Sequence, residues 1–125
     1  MILLDTHALV WLYEGRREMF PPLAGHLIEA EPLAVSPMAL LELRYLFEIG
    51  GIKVQADDIF DHLHRRAGLV EDNSLFSKVV RRAYGLAWTR DPFDRLIVAQ
   101  AECADVRLLT KDLTIQRHFS KAIWD

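Results

Sequence analysis

Short apolar runs that end abruptly in a polar residue alternate along this chain with longer stretches of helical periodicity. Residues 1–5 give Met-Ile-Leu-Leu-Asp, residues 33–35 Leu-Ala-Val before Ser36, residues 69–70 Leu-Val, and residues 107–110 Arg-Leu-Leu-Thr before Lys111-Asp112. Runs this short, apolar on both alternating faces, read as strands buried from both sides. Between them the pattern predicts helices: Thr6 up to Gly15, one starting near Pro21 and Pro22 and carrying Leu23, Leu27 and Ile28, one from Ser36-Pro37 to Gly50-Gly51, one over 57–66, and one capped by Ser74 and running through Tyr84. Asp91 at N-cap, Pro92 at the first helical position and Asp94 at the third open another helix. Its continuation, Leu96 to Ala99, is apolar all round and is expected to be well buried. A last helix over 113–118 and an edge strand at 122–124 complete the order. Strands alternating with helices predict an α/β fold, with a mostly parallel sheet covered on both faces. No linker, repeat or low-complexity tract divides the 125 residues, so a single domain over residues 1–125 is expected.

Composition narrows the class. Half the residues are hydrophobic (51%) and 26% are charged, which excludes a disordered chain. A single cysteine, Cys103, excludes an internal disulfide and a cysteine-rich zinc module, and is expected to be a small buried hydrophobe. The five histidines lack zinc spacing; His62 and His64 stand two apart on one expected helix and do not share a face. No apolar run is long enough to span a bilayer, and no basic segment or cleavage-site pattern precedes Ile2, so a cytoplasmic protein that begins on its fold is expected. Fifteen Lys and Arg against eighteen Asp and Glu leave a formal net charge of −3, unlike a basic nucleic-acid coat. The balance is uneven: residues 1–62 hold four bases and ten acids, residues 63–125 eleven bases and eight acids. The excess base in the second half reads either as a solvated helix face or as a rim for a polyanion.

The acids carry the functional expectation. Asp5 and Asp112 follow two apolar strands, and ligands of open α/β sheets bind outside the carboxyl ends of the strands. Each, taken singly, also reads as a turn or cap residue. Glu42 has Met38, Ala39, Tyr45, Leu46 and Ile49 as its helical neighbours, which places it on a buried face. A carboxylate there needs compensation, either from a buried arginine or from a cation. Asp94 at the third helical position favours the helix dipole, and its apolar helix holds it near the same sheet edge, whereas Asp91 reads as the cap itself. Four acids gathered without a counter-ion repel one another and raise one another's pKa, and hard divalent cations such as Mg²⁺ or Mn²⁺ relieve this best. A pocket of that kind activates water against a phosphodiester.

The segments Leu-Leu-Asp5-Thr6-His7-Ala8-Leu9-Val10-Trp11, Ser36-Pro37 with Leu41-Glu42-Leu43, Asp91-Pro92-Phe93-Asp94-Arg95-Leu96-Ile97-Val98-Ala99-Gln100-Ala101, and Leu109-Thr110-Lys111-Asp112 together resemble the PIN domain, and more narrowly the VapC-type toxins of type II toxin–antitoxin pairs. The resemblance runs over essentially the whole chain, in order. It implies a single PIN-like domain, a three-layer α/β/α sandwich, and a Mg²⁺- or Mn²⁺-dependent endoribonuclease. On it, Asp5, Glu42 and Asp94 form the metal-binding set and Asp112 completes it. Thr6 and Thr110 stand where a small hydroxyl residue supports the acids, and Asp91 matches a motif residue. Many relatives carry histidine two positions before the Asp-Pro-Phe-Asp block; here that residue is Thr89. The resemblance further implies a small VapB-like antitoxin as partner, a homodimer and a single-stranded or looped RNA substrate. Arg65, Arg66, Arg81, Arg82, Arg90, Arg95 and Lys111 are the candidate phosphate contacts. Trp11, Trp88, Trp124, Phe47, Phe60 and Tyr45 are expected in the core or at a dimer surface.

Competing readings are weighed on the residues. Aspartyl phosphotransfer wants a second aspartate two residues after the first, where this chain has His7, and a receiver domain wants an acidic pair at the first strand end. A non-catalytic PIN-like binding module is favoured by loss of an acid, and all four are present. A DNase, or a PIN nuclease of RNA processing outside toxin–antitoxin systems, stays open.

Overall fold

The structure, a computed structural model, describes residues 1–125. Its order is β1 (Ile2–Leu4), α1 (Thr6–Tyr13), a 3₁₀ turn (Arg17–Met19), α2 (Pro22–Ala30), β2 (Leu33–Val35), α3 (Pro37–Glu48), α4 (Ala56–Ala67), β3 (Val70–Glu71), α5 (Phe76–Ala83), α6 (Pro92–Ala104), β4 (Arg107–Leu109), α7 (Leu113–His118) and β5 (Ala122–Ile123). The strands form one sheet in the order β3-β2-β1-β4-β5, every neighbouring pair parallel. This is the expected α/β architecture with a parallel central sheet.

The three layers follow from burial. Ile2, Leu3 and Leu4 are all fully buried, and so are Leu108 and Leu109. Successive strand residues point to opposite faces, so both faces of the sheet are covered by helices. In the α6 segment Leu96 to Ala99, Ile97, Val98 and Ala99 are fully buried as expected while Leu96 is half-buried, and Ile97 and Val98 join the main core with Leu9 of α1, Leu43 of α3 and Ile59 of α4. Truncating one of these large side chains to alanine costs about 2–5 kcal/mol. No helix is long and apolar enough to cross a membrane.

Local chemistry sets most boundaries. Ser36 Oγ accepts the Met38 N–H and Pro37 opens α3; Asp91 Oδ1 accepts the N–H groups of Phe93 and Asp94 and Pro92 opens α6. α5 departs from expectation. Ser74 does not cap it: its N–H donates to Asp72 Oδ2 at 3.1 Å, holding a turn, and the helix begins two residues later behind Leu75. Cys103 is half-buried rather than enclosed, and the 3₁₀ turn was not anticipated.

The register positions the site. Leu4 pairs with Val35 and with Leu109, and Val35 pairs with Glu71. The next residue of each strand therefore forms a polar row along the carboxyl edge: Asp72, Ser36, Asp5, Thr110. From β1 the chain crosses to β2 and β3 on one side, then returns to β4 on the other. The switch point falls between Asp5 and Thr110, where a parallel sheet opens its crevice.

Candidate active site

Asp5 is the centre of the row. It is only 7% exposed. Its Oδ1 accepts the Thr6 N–H at 2.7 Å, which caps α1, and its Oδ2 accepts the Thr110 hydroxyl at 2.5 Å. Burial pushes its carboxyl above the usual range and the nearby Asp112 adds to this; the two hydrogen bonds and the charge of His7 oppose them. Thr6, itself buried, also donates its hydroxyl to Glu42 Oε1 at 2.5 Å. One threonine thus ties the α1 cap to α3.

Glu42 differs from its expected setting. The seam of α3 that enters the core runs through Ala39 and Leu43, one position away from Glu42. On the face of Glu42, Tyr45 is 47% and Ile49 61% exposed, and Glu42 is half-buried. No guanidinium compensates it; its partner is the Thr6 hydroxyl. Burial raises its pKa, Asp5 and Asp91 raise it further, and the Thr6 bond and His7 lower it.

Asp94 is strongly perturbed as well. Half-buried at the start of α6, it is pushed up to about 7 by burial and then by the charges of Asp91, Asp5, Asp112 and Glu42. Asp112 is exposed and caps α7 through the Ile115 N–H at 2.9 Å. Capping and membership of the acidic group are therefore not alternatives: Asp5, Asp91 and Asp112 do both. Asp91, expected as the cap and as a supporting motif residue, exerts the largest push of any neighbouring charge on Asp94. None of the five acids takes part in an ion pair.

A second polar network supports this edge. Gln100 of α6, in a run otherwise apolar, is 5% exposed. Its Oε1 accepts the Ser36 hydroxyl at 2.8 Å, and its Nε2 donates to Asp72 Oδ2 at 2.7 Å. It joins the start of the helix bearing Glu42 to the helix bearing Asp94. The signal in the sequence is a lone amide inside a buried run, which must find partners.

The candidate phosphate contacts do not form one free set. Arg82 pairs with Glu102 at 2.9 Å, and Arg95 is held within the fold, its guanidinium donating to the Ala83 and Tyr84 carbonyls at the end of α5. Arg90 donates to the Ala87 carbonyl at 2.9 Å. Arg65 and Arg66 lie exposed in the last turn of α4, Arg81 exposed in that of α5, and Lys111 stands 5.4 Å from the Trp11 ring. Trp124 is buried against Trp11 and Phe20, Trp11, Trp88, Phe47 and Phe60 are half-buried, and Tyr45 meets Phe93 on the surface.

Chemically, the edge offers hard oxygen donors with unneutralised charge. No three carboxylates already close on one point as a finished ligand cage. The donor type and the mutual upward push on Asp5, Glu42 and Asp94 nevertheless fit a divalent cation, which would remove both the repulsion and the burial penalty.

A parallel sheet of this order, with an acid after β1 and others brought up by α3, α6 and α7, defines an α/β protein with an acidic site at the switch point. Its sequence matches the PIN domain family over residues 2–119, and the chain belongs to that family. Within it the chain falls among the VapC-like members. It is 32% identical over 120 residues to Ribonuclease VapC22 of Mycobacterium tuberculosis (strain ATCC 25618 / H37Rv), a match covering 94% of this chain and 91% of the relative. The fold is shared with a chain of VapBC2 from Rickettsia felis, solved bound to a DNA fragment from its promoter (TM-score 0.69, 20% identity, all of both chains covered). It is also shared with a chain of a toxin–antitoxin complex from Klebsiella pneumoniae (TM-score 0.71, 20% identity, covering 98% of this chain and 96% of that one).

Proposed function

We propose that this chain is a metal-dependent endoribonuclease, the toxin of a VapBC-type toxin–antitoxin module, working in the cytoplasm. The observation that carries the reading is the group of un-ion-paired acids at the switch point, with Asp94 pushed up to about 7. Membership of the PIN family and the likeness to a VapC ribonuclease support the substrate class. The toxin–antitoxin complexes sharing the fold support a VapB-like antitoxin as partner.

Asp5, Glu42 and Asp94 would hold Mg²⁺ or Mn²⁺, with Asp112 completing the set. When bound, such a cation polarises a phosphodiester, lowers the pKa of the attacking water and stabilises the leaving 3′-oxygen. The chain's own residues prepare for this. The Thr110 hydroxyl fixes one Asp5 oxygen and the Thr6 N–H the other, so the carboxylate enters in a single orientation. The Thr6 hydroxyl holds Glu42 by Oε1 and leaves Oε2 free of hydrogen-bond partners. Asp91 anchors the first turn of α6 and so the backbone of Asp94. Without a cation the Asp94 carboxyl, pushed up to about 7, is partly protonated near neutrality, and a bound cation would lower that value. A homodimer belongs to the same reading. Leu41, Ile49, Leu75 and Phe76 leave apolar surface available for protein partners.

The test is cleavage of single-stranded RNA at pH 7.5 with Mn²⁺. Activity is expected to vanish with EDTA and to fall at least about a hundredfold in Asp5→Asn, Glu42→Gln and Asp94→Asn, with unchanged circular dichroism. Sequencing RNA ends after brief induction, with Asp5→Asn as control, locates the cut. Undiminished cleavage in any of the three variants removes that residue from the site. Cleavage persisting in EDTA removes the metal.

A further inference from the structure

Three concavities are lined by none of the five acids. One, of about 480 Å³, runs between α1 and the 51–54 segment that links α3 to α4. His7 lines it, one residue beyond Thr6 and two beyond Asp5. Trp11, one turn further along α1, also lines the groove. Its ring is 5.9 Å from that of His7 and 5.4 Å from Lys111 Nζ, and Lys111 sits between Thr110 and Asp112. The groove therefore meets the acidic edge where β1 and β4 end.

Its charge runs against the surrounding sequence. Residues 1–62 contain only four Lys or Arg against ten acids, yet two of the four, Arg16 and Lys53, line this groove, with Glu14 as its one acid. Arg16 is shared between Glu14 and Glu18 at 3.9 and 3.3 Å, whereas Lys53 is exposed and in no ion pair. A groove with the unpaired Lys53 on its wall and Lys111 where it nears the acids has the form of a single-strand track, in which fixed positive charge follows the backbone. Trp11 is already covered by His7, Lys111, Phe20 and Trp124. Its part is to hold the Lys111 ammonium against its ring, not to stack a base.

We infer that this groove, with Lys53 on its wall and Lys111 beside Trp11 as phosphate contacts, holds the single-stranded RNA backbone next to the scissile phosphate. This rests on the ribonuclease reading and moves the binding face away from the arginines of α4 and α5.

The test uses fluorescein-labelled decauridylate and the full chain carrying Asp94→Asn, so that the probe is not cut. Fluorescence polarisation is followed from 0.05 to 0.3 M KCl. Each lost phosphate contact on a single strand lowers the magnitude of the log–log salt slope by about 0.7. The pair Lys53→Gln, Lys111→Gln is therefore expected to flatten the slope by about 1.4 and weaken binding about 25-fold at 0.1 M salt. A merely structural loss weakens binding without touching the slope. The control set Arg65→Gln, Arg66→Gln, Arg81→Gln is expected to stay within about twofold. An unchanged slope in the lysine pair overturns the inference, as does a slope change carried by the control set. Unchanged RNA binding together with lost binding of a co-expressed antitoxin makes the groove a protein-docking surface and equally overturns it. If the chain with Asp94 intact cleaves RNA while the lysine pair keeps its slope, the groove fails and the ribonuclease reading stands. If it never cleaves RNA while decauridylate binding follows the two lysines, the reading fails and the groove stands.

Discussion

Near pH 7 the Asp94 carboxyl of the cation-free protein is about half protonated, because burial and four neighbouring carboxylates lift it to about 7 from an ordinary 3.8. Between about pH 4 and 7 the folded chain thus binds a proton that the unfolded chain has released. Stability is fully present below the unfolded value and falls as pH rises towards 7. Asp5 and Glu42 are shifted the same way and add slopes of the same sign. Asp94→Asn keeps the shape and removes the charge. With EDTA present it is expected to melt about 3–5 °C higher than the parent at pH 7.5, from about 1 kcal/mol after solvent screening, and with little difference at pH 5. Differential scanning calorimetry at the two pH values decides it; an equal or lower melting point at pH 7.5 contradicts the charge argument. Thr110 carries the opposite kind of prediction. Thr110→Val leaves a buried Asp5 oxygen without its donor and is expected to cost about 1–3 kcal/mol in urea unfolding, whereas Thr110→Ser keeps the hydroxyl and most of the stability.

Elements were legible in the sequence wherever a local chemical device sets them. Ser36-Pro37 and Asp91-Pro92 each combine a capping oxygen with a proline that needs no amide partner, and both helices start there. The acids at strand ends were legible for the same reason, since a parallel sheet fixes which end opens. What depended on tertiary packing was not. The periodicity around Glu42 is compatible with burial, but which stripe of α3 meets the core is chosen by its neighbours, and they take Ala39 and Leu43. The cationic look of Arg82 and Arg95 hid an ion pair and a cap on α5 that only contact reveals. The Ser36–Gln100–Asp72 network belongs with these. Burial alone would raise Asp72, yet the bonds from Gln100 and Ser74 hold it below the usual range. Its contribution is present above the unfolded pKa and lost as pH falls through the folded one, and its exposure keeps it small. The larger effect is geometric. Gln100→Leu is expected to destabilise by about 2 kcal/mol, since it strands the buried Ser36 hydroxyl. Combined with Ser36→Ala it is expected to be less than additive by about 1 kcal/mol, measured by a double-mutant cycle. Strict additivity means that the two residues do not act together.

Across the whole molecule, five acids without counter-charges are a standing liability that the net charge of −3 does nothing to offset. The protein is folded against this repulsion, and a cation that binds only the folded form returns stability by mass action, about 2.7 kcal/mol at a hundred times its dissociation constant. In a chain of this length that is a rise of roughly 8–12 °C in melting temperature. The rise is expected with Mn²⁺ at pH 7.5 and should shrink markedly at pH 5, where protons already occupy the carboxylates. Asp94→Asn then makes two opposite demands on one variant: it melts above the parent in EDTA and below it in saturating Mn²⁺, so the two curves cross as Mn²⁺ is titrated. Cation binding elsewhere on the surface lifts both proteins equally and gives no crossing. A simple loss of packing at residue 94 places the variant below the parent throughout. Only a site at which the Asp94 charge is a burden when empty and a ligand when filled produces the crossing.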